Sequence, residues 1–180
     1  MLKSNHTNTL LFVLLMCIGY GMQAQDNYPT PTYNKNRLFY IQHSKNHNTY
    51  VYDAKITNNH IDKNDPIDVY RIVYEGNTGT RKSLTAIQRR LAYGIISDCV
   101  NNNLYEMHLA ASKDLELYLC LNNEKQPKVY TTINHRKMFI DKLFIELKSG
   151  GLHIKADYIL FYGTDYNTGE QVTEKLILDN

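Results

Sequence analysis

The 180-residue sequence lacks tryptophan, has only three cysteines, and contains no block of five or six like charges. Its 20 basic residues against 18 acidic ones leave a formal net charge of +2. A chain so close to neutral, without a charged block, is not expected to bind nucleic acid or a charged membrane surface. We therefore predict no nucleic-acid partner.

Sequence motifs that mark common catalytic and nucleotide-binding sites are also missing. The chain has no Gly-x-Ser-x-Gly nucleophile elbow and no glycine-rich phosphate loop. Cys99 or Cys120 could act as a nucleophile only beside a partnering histidine, which the sequence does not reveal. No catalytic residue and no cofactor can be named, and a protein that is not an enzyme is favoured.

Metal-ligand patterns are present only in fragments. His43 and His47 are four residues apart, but the residues between them predict a hairpin turn and not a helix. We interpret both as exposed turn histidines. The Asp165-x-Asn167 pattern resembles the start of a calcium loop, yet the distal glutamate is missing, which favours a plain turn. No metal site is predicted.

The N-terminus carries the longest uncharged apolar run of the chain. Leu10–Ile18 follows a short start with Lys3 and precedes small and polar residues that reach Ala24. These are the three parts of a secretory signal peptide, and the run is too short for a membrane span, which needs ~20 residues. We predict a signal peptide over residues 1–24 and a periplasmic or secreted protein. No later run could form a transmembrane helix in the mature chain.

The mature chain is rich in tyrosine and in short apolar runs. Fifteen tyrosines favour half-buried strand surfaces. Residues 25–36 contain Pro29 and Pro31 and predict an extended lead-in. Residues 37–180 have the length of one domain with a sizeable core, so we predict a single β-rich domain there.

Alternation and turn residues predict an antiparallel meander. Leu115, Leu117 and Leu119 alternate with polar neighbours, as in a sheet with one solvated side. We expect the meander to form a closed or nearly closed barrel, with a sandwich as the alternative. The predicted strands are Arg37–Ser44, Thr49–Thr57, Ile67–Glu75, Ile95–Val100, Leu104–Ala111, Leu115–Leu121, Lys128–Asn134, Lys137–Lys148, His153–Gly163 and Gln171–Leu178.

One segment has helical periodicity instead. Leu84, Ile87 and Leu91 recur at helical spacing, with Ser83 as a candidate N-cap and Gly94 as a candidate stop. We expect one short helix whose apolar stripe packs against the sheet or over a barrel mouth.

Two polar residues occur among apolar ones. Arg71 shares a predicted strand face with Val69, and Gln88 falls on the apolar stripe of the helix at 3.6 residues per turn. An unpaired buried charge costs several kcal/mol, so an inward Arg71 must pair or bind an anion. The alternatives are that Arg71 forms an ion pair with Asp68 or Glu75, or that the apolar face of this strand is its outer face.

Two mature cysteines in an exported protein suggest a disulfide, but the predicted register opposes it. With symmetric hairpins Cys99 lies opposite Tyr105, and Cys120 lies opposite Glu106 on the same middle strand. The two flanking strands are then roughly 9–10 Å apart, whereas a disulfide needs Cα atoms within about 7 Å. Adjacent positions also face opposite sides. We predict two free thiols.

Several short segments together carry a family resemblance. They are Leu38–Gln42 and Asn48–Tyr52 in the opening strands, Leu84–Arg89 with Ala92–Gly94 in the central helix, and Phe144–Glu146 with Tyr158–Ile159 in later strands. These segments resemble domain-of-unknown-function family 4833, which is found in secreted bacterial proteins. The resemblance covers nearly the whole mature domain, and its helix motif is the more specific part. It implies export and one domain; the family has no assigned reaction, so no catalytic residue is implied.

Two classes of function stay open. The first is an exported β-barrel that binds a small apolar or carboxylate-bearing ligand, with tyrosine walls including Tyr93 and with Arg71 or Gln88 as the polar contact. The second is a structural or protein-interaction domain of the cell envelope with a filled core. A hydrolytic enzyme comes third. We prefer the first on fold analogy alone, and the sequence leaves the oligomeric state open.

Overall fold

The computed structural model describes residues 28–76, 78–148 and 155–178. The predicted signal peptide lies outside these ranges. Within them the chain is mainly β with one short helix, α1 (Ala86–Leu91), as the sequence predicted. The strands are β1 (Arg37–His43), β2 (Asn46–Ala54), β3 (Ile56–Thr57), β4 (His60–Ile61), β5 (Ile67–Glu75), β6 (Thr78–Ser83), β7 (Ile95–Asn101), β8 (Leu104–Leu109), β9 (Ser112–Leu121), β10 (Pro127–Ile133), β11 (Arg136–Lys148), β12 (Lys155–Asp165) and β13 (Gln171–Ile177).

Eleven of these strands form one sheet that curls into an open half-barrel. Its order is β6-β5-β2-β1-β11-β10-β9-β8-β7, with β12 and β13 on the other edge of β11, while β3 and β4 pair separately. The sheet is therefore open where the sequence predicted a closed or nearly closed barrel, and it is compatible with both the barrel-like and the sandwich-like architecture that the sequence left open. Three end strands, β6, β7 and β13, each pair with one neighbour only, so no ladder of the described strands closes the curl.

The sheet also departs from a pure meander, because β1 runs parallel to β11. The first half of β11 pairs with β10, where Tyr130 lies opposite Phe139, and the second half pairs with β1, where Tyr40 lies opposite Lys142. Thus β10 and β1 both pair along the same edge of the long strand β11. The sheet forks there, because the pairing partner changes between residues 139 and 142. Local sequence patterns cannot show such pairing, since the partners are about a hundred positions apart.

A hydrophobic core covers the concave face of the half-barrel. Cross-strand register places Phe39 beside Tyr52, and their rings stack with centroids 4.4 Å apart. The largest fully buried side chains are contributed by β1, β2, β8, β9, β11 and β12, so both halves of the sheet supply the core. They are Tyr52, Tyr105, Phe39, Phe161, Ile41, Met107, Leu117, Leu119, Met138, Ile140 and Leu143, and Gln42 is equally buried on the opposite face of the sheet.

The lead-in packs over the convex face of β1 and β2. The Gln42 side-chain amide donates to the Pro29 carbonyl at 2.8 Å, and Asn34 donates to the Asp53 carboxylate at 2.7 Å. Asp53 also pairs with Arg37 and accepts from the Tyr70 hydroxyl at 2.9 Å. Because both faces are covered, the last six residues of β2 are all buried, and the one solvated side that the sequence predicted for the sheet is absent at this strand.

Helix α1 is shorter than expected and faces the other way. Its N-cap is Thr85, not Ser83, and the Thr85 and Gln88 side chains form a capping box. Leu84 is buried, but Ile87 and Leu91 are 72% and 65% exposed, so the predicted packing of the apolar stripe is wrong. A helix of six residues makes under two turns, and Gln88 occupies its inward side. Among the described residues we find no helix that is long and apolar enough to cross a membrane.

Cys99 and Cys120 are free thiols, as predicted. Cys99 lies opposite Tyr105 as expected, whereas Cys120 lies opposite Leu104 and not Glu106. The register of the second hairpin is thus shifted by two residues. Side chains alternate between the two faces of a sheet, so a shift of two residues does not change the face on which a residue lies. The two cysteines therefore still point to opposite faces. Cys99 is exposed although it shares the core face, because β7 is an end strand of the open sheet.

Candidate functional site

A group of polar and aromatic side chains lies on the concave face near the open side of the half-barrel. Arg71 on β5 lies directly opposite Tyr50 on β2 and, on its other side, opposite Lys82 on β6. Residues directly opposite each other share a face, with Cβ atoms ~4.5–5.5 Å apart. Together with Gln88 and Tyr93 from the α1 segment, these residues form what we call the Arg71 cluster.

Tyr50 holds the cluster together. Its ring stacks on the Tyr93 ring with centroids 3.4 Å apart and planes 10° from parallel. Gln88 donates its side-chain amide to the Tyr50 hydroxyl at 3.4 Å, and the Tyr52 hydroxyl donates to the Tyr93 carbonyl at 2.9 Å. The structure therefore brings together all three residues that the sequence nominated, Arg71, Gln88 and Tyr93.

Close packing is also required where α1 leads into β7. A Cβ atom at Gly94 would lie 1.9 Å from the carbonyl oxygen of Arg89, so only glycine fits there without a shift of the backbone. The amide of Tyr93 donates to the Gln88 carbonyl at 2.8 Å, which winds the chain tightly after the helix. This turn carries Tyr93 back onto Tyr50.

Burial keeps the Tyr93 side chain of the cluster neutral. It raises the pKa of Tyr93 well above the ordinary value for tyrosine, and the neighbouring Tyr50 raises it further. Burial likewise raises the pKa of Tyr52. Neutral phenols can donate hydrogen bonds at any physiological pH.

The Arg71 guanidinium is left partly unsatisfied. Arg71 is half-buried, and its Nε atom is buried without a hydrogen-bond partner among the described residues. The ion pairs considered from the sequence are not formed: Asp68 pairs with Arg81 at 2.6 Å, on the opposite face of the sheet, and Glu75 is exposed at the strand end. A buried donor without a partner costs about 1–3 kcal/mol, so an outside acceptor at this point would be stabilising.

Lys82 adds a second positive charge that sequence reasoning missed. Like charges directly opposite each other on a sheet are destabilising unless an anion lies between them. Lys82 was missed because Thr78–Ser83 is an exposed end strand with no large apolar residue. The Gly76-Asn77 dipeptide after the predicted Ile67–Glu75 strand was a usable signal, because it favours a two-residue hairpin.

His43 borders the cluster as a neutral side chain. It is 5% exposed, which corrects its interpretation as an exposed turn histidine, while His47 is exposed. Burial lowers the pKa of His43, and its Nδ1 accepts the backbone amide of Lys45 at 3.4 Å. The ring lies 6.1 Å from that of Tyr50. The described residues contain no group of three His, Cys, Asp or Glu side chains that could hold a metal.

The Arg71 cluster is suited to holding an anionic group. A carboxylate accepts two parallel hydrogen bonds from a guanidinium, and an ammonium or amide can satisfy its remaining lone pairs. Val69 and Val73 share the face of Arg71, so an apolar portion of a ligand has a surface to cover. The centre of the concave face is already filled by core side chains, which leaves the rim near β6 for a ligand.

The comparisons with known proteins give a family and no activity. A family model described as "Domain of unknown function (DUF4833)" matches residues 39–175. No curated protein matches the chain, and no solved structure does.

Proposed function

We propose a binding function for this chain, which belongs to the DUF4833 family of domains of unknown function. The half-barrel binds a small carboxylate-bearing ligand at the Arg71 cluster and performs no reaction on it. The observation that carries the proposal is the buried Nε atom of Arg71, which has no hydrogen-bond partner in the described part of the chain.

The second support is the cross-strand pair of cations. Arg71 and Lys82 lie directly opposite each other, and no described carboxylate pairs with either. A bound carboxylate would relieve their repulsion and accept from both. Gln88 and the hydroxyls of Tyr50 and Tyr93 are neutral donors nearby, which select for an acceptor without adding charge.

Calorimetric titration with sodium octanoate tests the proposal, with 1-octanol as the uncharged ligand of the same chain length. We expect octanoate to bind and octanol not to bind. Arg71→Met should weaken octanoate binding at least about tenfold, since hydrogen bonds to charged groups contribute ~1.5–3 kcal/mol. Arg90→Met is the matched control, because Arg90 is an exposed arginine at the end of α1. Equal binding by wild type and Arg71→Met would contradict the proposal.

We also propose that the protein is exported from the cytoplasm. The basis is the charged start, the short apolar run and the small residues near Ala24. N-terminal sequencing of protein recovered from the periplasm or the medium should find a start near Gln25. A soluble cytosolic product that retains Met1 would contradict export.

A structural or interaction role is the second candidate, and two observations favour it. The interior of the half-barrel is filled, and four large apolar side chains near α1 and β7 are exposed. Such exposed side chains can mark a protein-interaction surface. A wild type that does not bind octanoate would favour this role. The four exposed residues are Ile87, Leu91, Ile96 and Val100.

A further inference from the structure

Charge is distributed unevenly along the chain, although the total is close to neutral. Residues 76–97 contain no aspartate or glutamate, and this stretch includes β6 and α1. Its basic side chains are Arg81, Lys82, Arg89 and Arg90. The small net charge of +2 therefore conceals a locally basic segment.

The surroundings of α1 do not neutralise its charge. Arg81 on β6 forms an ion pair with Asp68, but no carboxylate in the described ranges pairs with Arg89 or Arg90. The hydrogen bonds that fix the segment on the sheet are made with neutral groups, so the two charges of α1 stay uncompensated. These groups are the hydroxyls of Tyr50 and Tyr52 and the backbone amides of Ala110 and Ala111.

Helix α1 carries its two large apolar side chains on the outside. Ile87 and Leu91 are 72% and 65% exposed, and as residues four apart they lie side by side on the helix. No residue of α1 is buried, and only Gln88 turns inward, where it meets Tyr50. The helix thus stands at the rim of the half-barrel and presents a pair of aliphatic side chains to the outside.

The two arginines flank this apolar pair. At 3.6 residues per turn, Arg90 lies nearly opposite the inward Gln88, and Arg89 lies on the side away from Ile87. Both arginines are exposed, and an arginine can lay its stem on apolar surface while its guanidinium reaches a polar layer. The arrangement matches a bilayer with anionic headgroups, because aliphatic side chains enter the acyl boundary while guanidiniums pair with phosphates.

The helix is ordered before it makes any outside contact. The capping box between Thr85 and Gln88 fixes its first turn, and the stack of Tyr93 on Tyr50 fixes the turn after it. A preordered element loses little conformational entropy when it binds. Two inserted side chains and two cations can therefore hold a surface that a disordered segment of the same sequence would not hold.

The neighbouring strand limits the docking surface to α1. Ile96 on β7 is also exposed, but it shares a strand face with Asp98, which lies opposite Glu106. An anionic headgroup layer repels carboxylates as it attracts cations. We therefore expect α1 to contact the lipid and this face of β7 to stay in water.

The residue types of α1 favour a lipid surface over a protein partner. Protein-binding surfaces are enriched in tyrosine and tryptophan, and their energy is concentrated in anchors that fill shaped pockets. The exposed side chains of α1 are aliphatic and basic, with no aromatic ring among them. Acyl chains need no shaped partner, so projecting aliphatic side chains are sufficient.

We propose that α1 docks this protein on a membrane surface that contains anionic lipids. Ile87 and Leu91 insert into the acyl boundary, and Arg89 and Arg90 bind lipid phosphates. The contact is peripheral and reversible, since it involves one short helix at the surface. The inference does not rest on carboxylate binding, because none of these four side chains belongs to the Arg71 cluster.

Co-sedimentation of the mature chain with vesicles tests the proposal. Vesicles of equal parts phosphatidylglycerol and phosphatidylcholine should bind the wild type, and vesicles of phosphatidylcholine alone should bind it at least about tenfold more weakly. Ile87→Ser combined with Leu91→Ser should weaken binding about tenfold or more, because it removes the inserted apolar surface. Arg89→Gln combined with Arg90→Gln should weaken it roughly twentyfold, since each cation at an anionic surface contributes about fivefold.

Matched controls remove the same side chains elsewhere on the surface. Ile177→Ser removes an isoleucine of β13 that is 67% exposed. Lys125→Gln combined with Lys155→Gln removes two exposed cations outside the basic segment. Both controls should bind the anionic vesicles within about threefold of wild type, because neither site is on α1.

The lack of tryptophan allows a second measurement that does not depend on affinity. The emission of Leu91→Trp should shift to shorter wavelength when anionic vesicles are added, and brominated lipids should quench it. The emission of Ile177→Trp should not change. An unshifted Leu91→Trp spectrum with bound vesicles would show that α1 does not insert and would overturn the proposal.

Three sedimentation results would also overturn it: no binding of anionic vesicles, equal binding of both vesicle compositions, or undiminished binding by either α1 double variant. Binding of soluble polyglutamate without binding of vesicles would show instead that α1 recognises an acidic protein surface. Octanoate titration of the same α1 variants should match wild type, because the Arg71 cluster is intact in them. Failure of the membrane contact and failure of the carboxylate site are thus measured separately.

Discussion

Tyr93, in the turn after α1, stacks on Tyr50 of β2 with ring centroids 3.4 Å apart. The stack joins the open side of the half-barrel to its centre, because Tyr52 of the same strand donates to the Tyr93 carbonyl. Tyr93→Ala should lower the free energy of unfolding by ~2–4 kcal/mol, measured by urea denaturation. Tyr93→Phe should keep most of that stability. Tyr33→Ala, at a position 88% exposed, should stay within about 0.5 kcal/mol of wild type.

Lys82 and Arg81 are neighbours on β6, but replacing each with glutamate should change the free energy of unfolding in opposite directions. Lys82 faces Arg71, so Lys82→Glu should raise the free energy of unfolding by ~0.2–1 kcal/mol and abolish octanoate binding. Arg81 pairs with Asp68 and lies 3.7 Å from the Tyr70 ring centroid, so Arg81→Glu should lower stability by about 1 kcal/mol. Urea denaturation of both variants in low salt checks the pair. Equal effects would mean that the two side chains do not lie on opposite faces.

Gly163 of β12 lies opposite Ile140, next to the bulge at which Asp141 has no partner in the ladder between β11 and β12. A Cβ atom there would lie 1.8 Å from the Phe139 carbonyl oxygen and 3.0 Å from the Ile140 Cα, and both neighbours are backbone. Gly163→Ala should therefore cost about 3 kcal/mol, since the ladder must open. Gly169→Ala, at a φ of +73 with open space around it, should cost only ~1 kcal/mol. Gly169→Asn should be more stable than Gly169→Ala, because asparagine tolerates that φ. Gly163→Asn should be less stable than Gly163→Ala, because its side chain is larger. Thermal unfolding of the four variants measures these differences.

His43 should make stability depend on pH between neutral and mildly acidic conditions. Burial lowers its pKa in the folded state below the ordinary value of 6.5, so the unfolded chain binds the proton more readily. The contribution is complete above about pH 6.5 and is lost as pH falls through the folded pKa, by at most ~1.4 kcal/mol per pH unit. His43→Gln should shrink the difference in unfolding free energy between pH 7.5 and 5.5. His47→Gln, at an exposed position, should not change it.

The two thiols should differ in their rate of labelling. Cys99 is exposed, whereas Cys120 is half-buried and burial raises its pKa, so less of the reactive thiolate is present. A disulfide-exchange reagent at pH 8 should react in a fast and a slow phase, and Cys99→Ser should remove the fast one. Labelling of the denatured, unreduced protein should find both thiols; none would show that they are linked.

Local patterns predicted most strands because burial alternates along them. Ile67–Glu75 was predicted with the bounds that the structure has, and its alternation placed Arg71 on the face of Val69. The predicted inward packing of the apolar stripe of α1 was wrong because helical spacing shows only which residues share a face. It does not show which face packs inward. Ile87 and Leu91 do share a face, and it is the exposed one.

The Arg71 cluster was predictable only in part. Arg71 and Gln88 could be nominated because a polar residue in an apolar pattern is conspicuous in the sequence. Their meeting at Tyr50, and the approach of Lys82, depend on the pairing of β5 with two strands at once. The ring contacts of Tyr130 with Tyr118 and Phe139 were not predictable at all, since these residues become neighbours only through the register of three strands.

By itself, the sequence determined the β class, the single short helix and the parity of the two cysteines, because side-chain alternation is a local property of the chain. Only the tertiary structure decided that the sheet stays open, that β1 joins β11 in parallel and that Asp141 lies at a fork. These features depend on hydrogen bonds between residues far apart in the chain. The free energy of such pairing comes from backbone ladders and shared core burial, which leave no periodic signal in either partner alone.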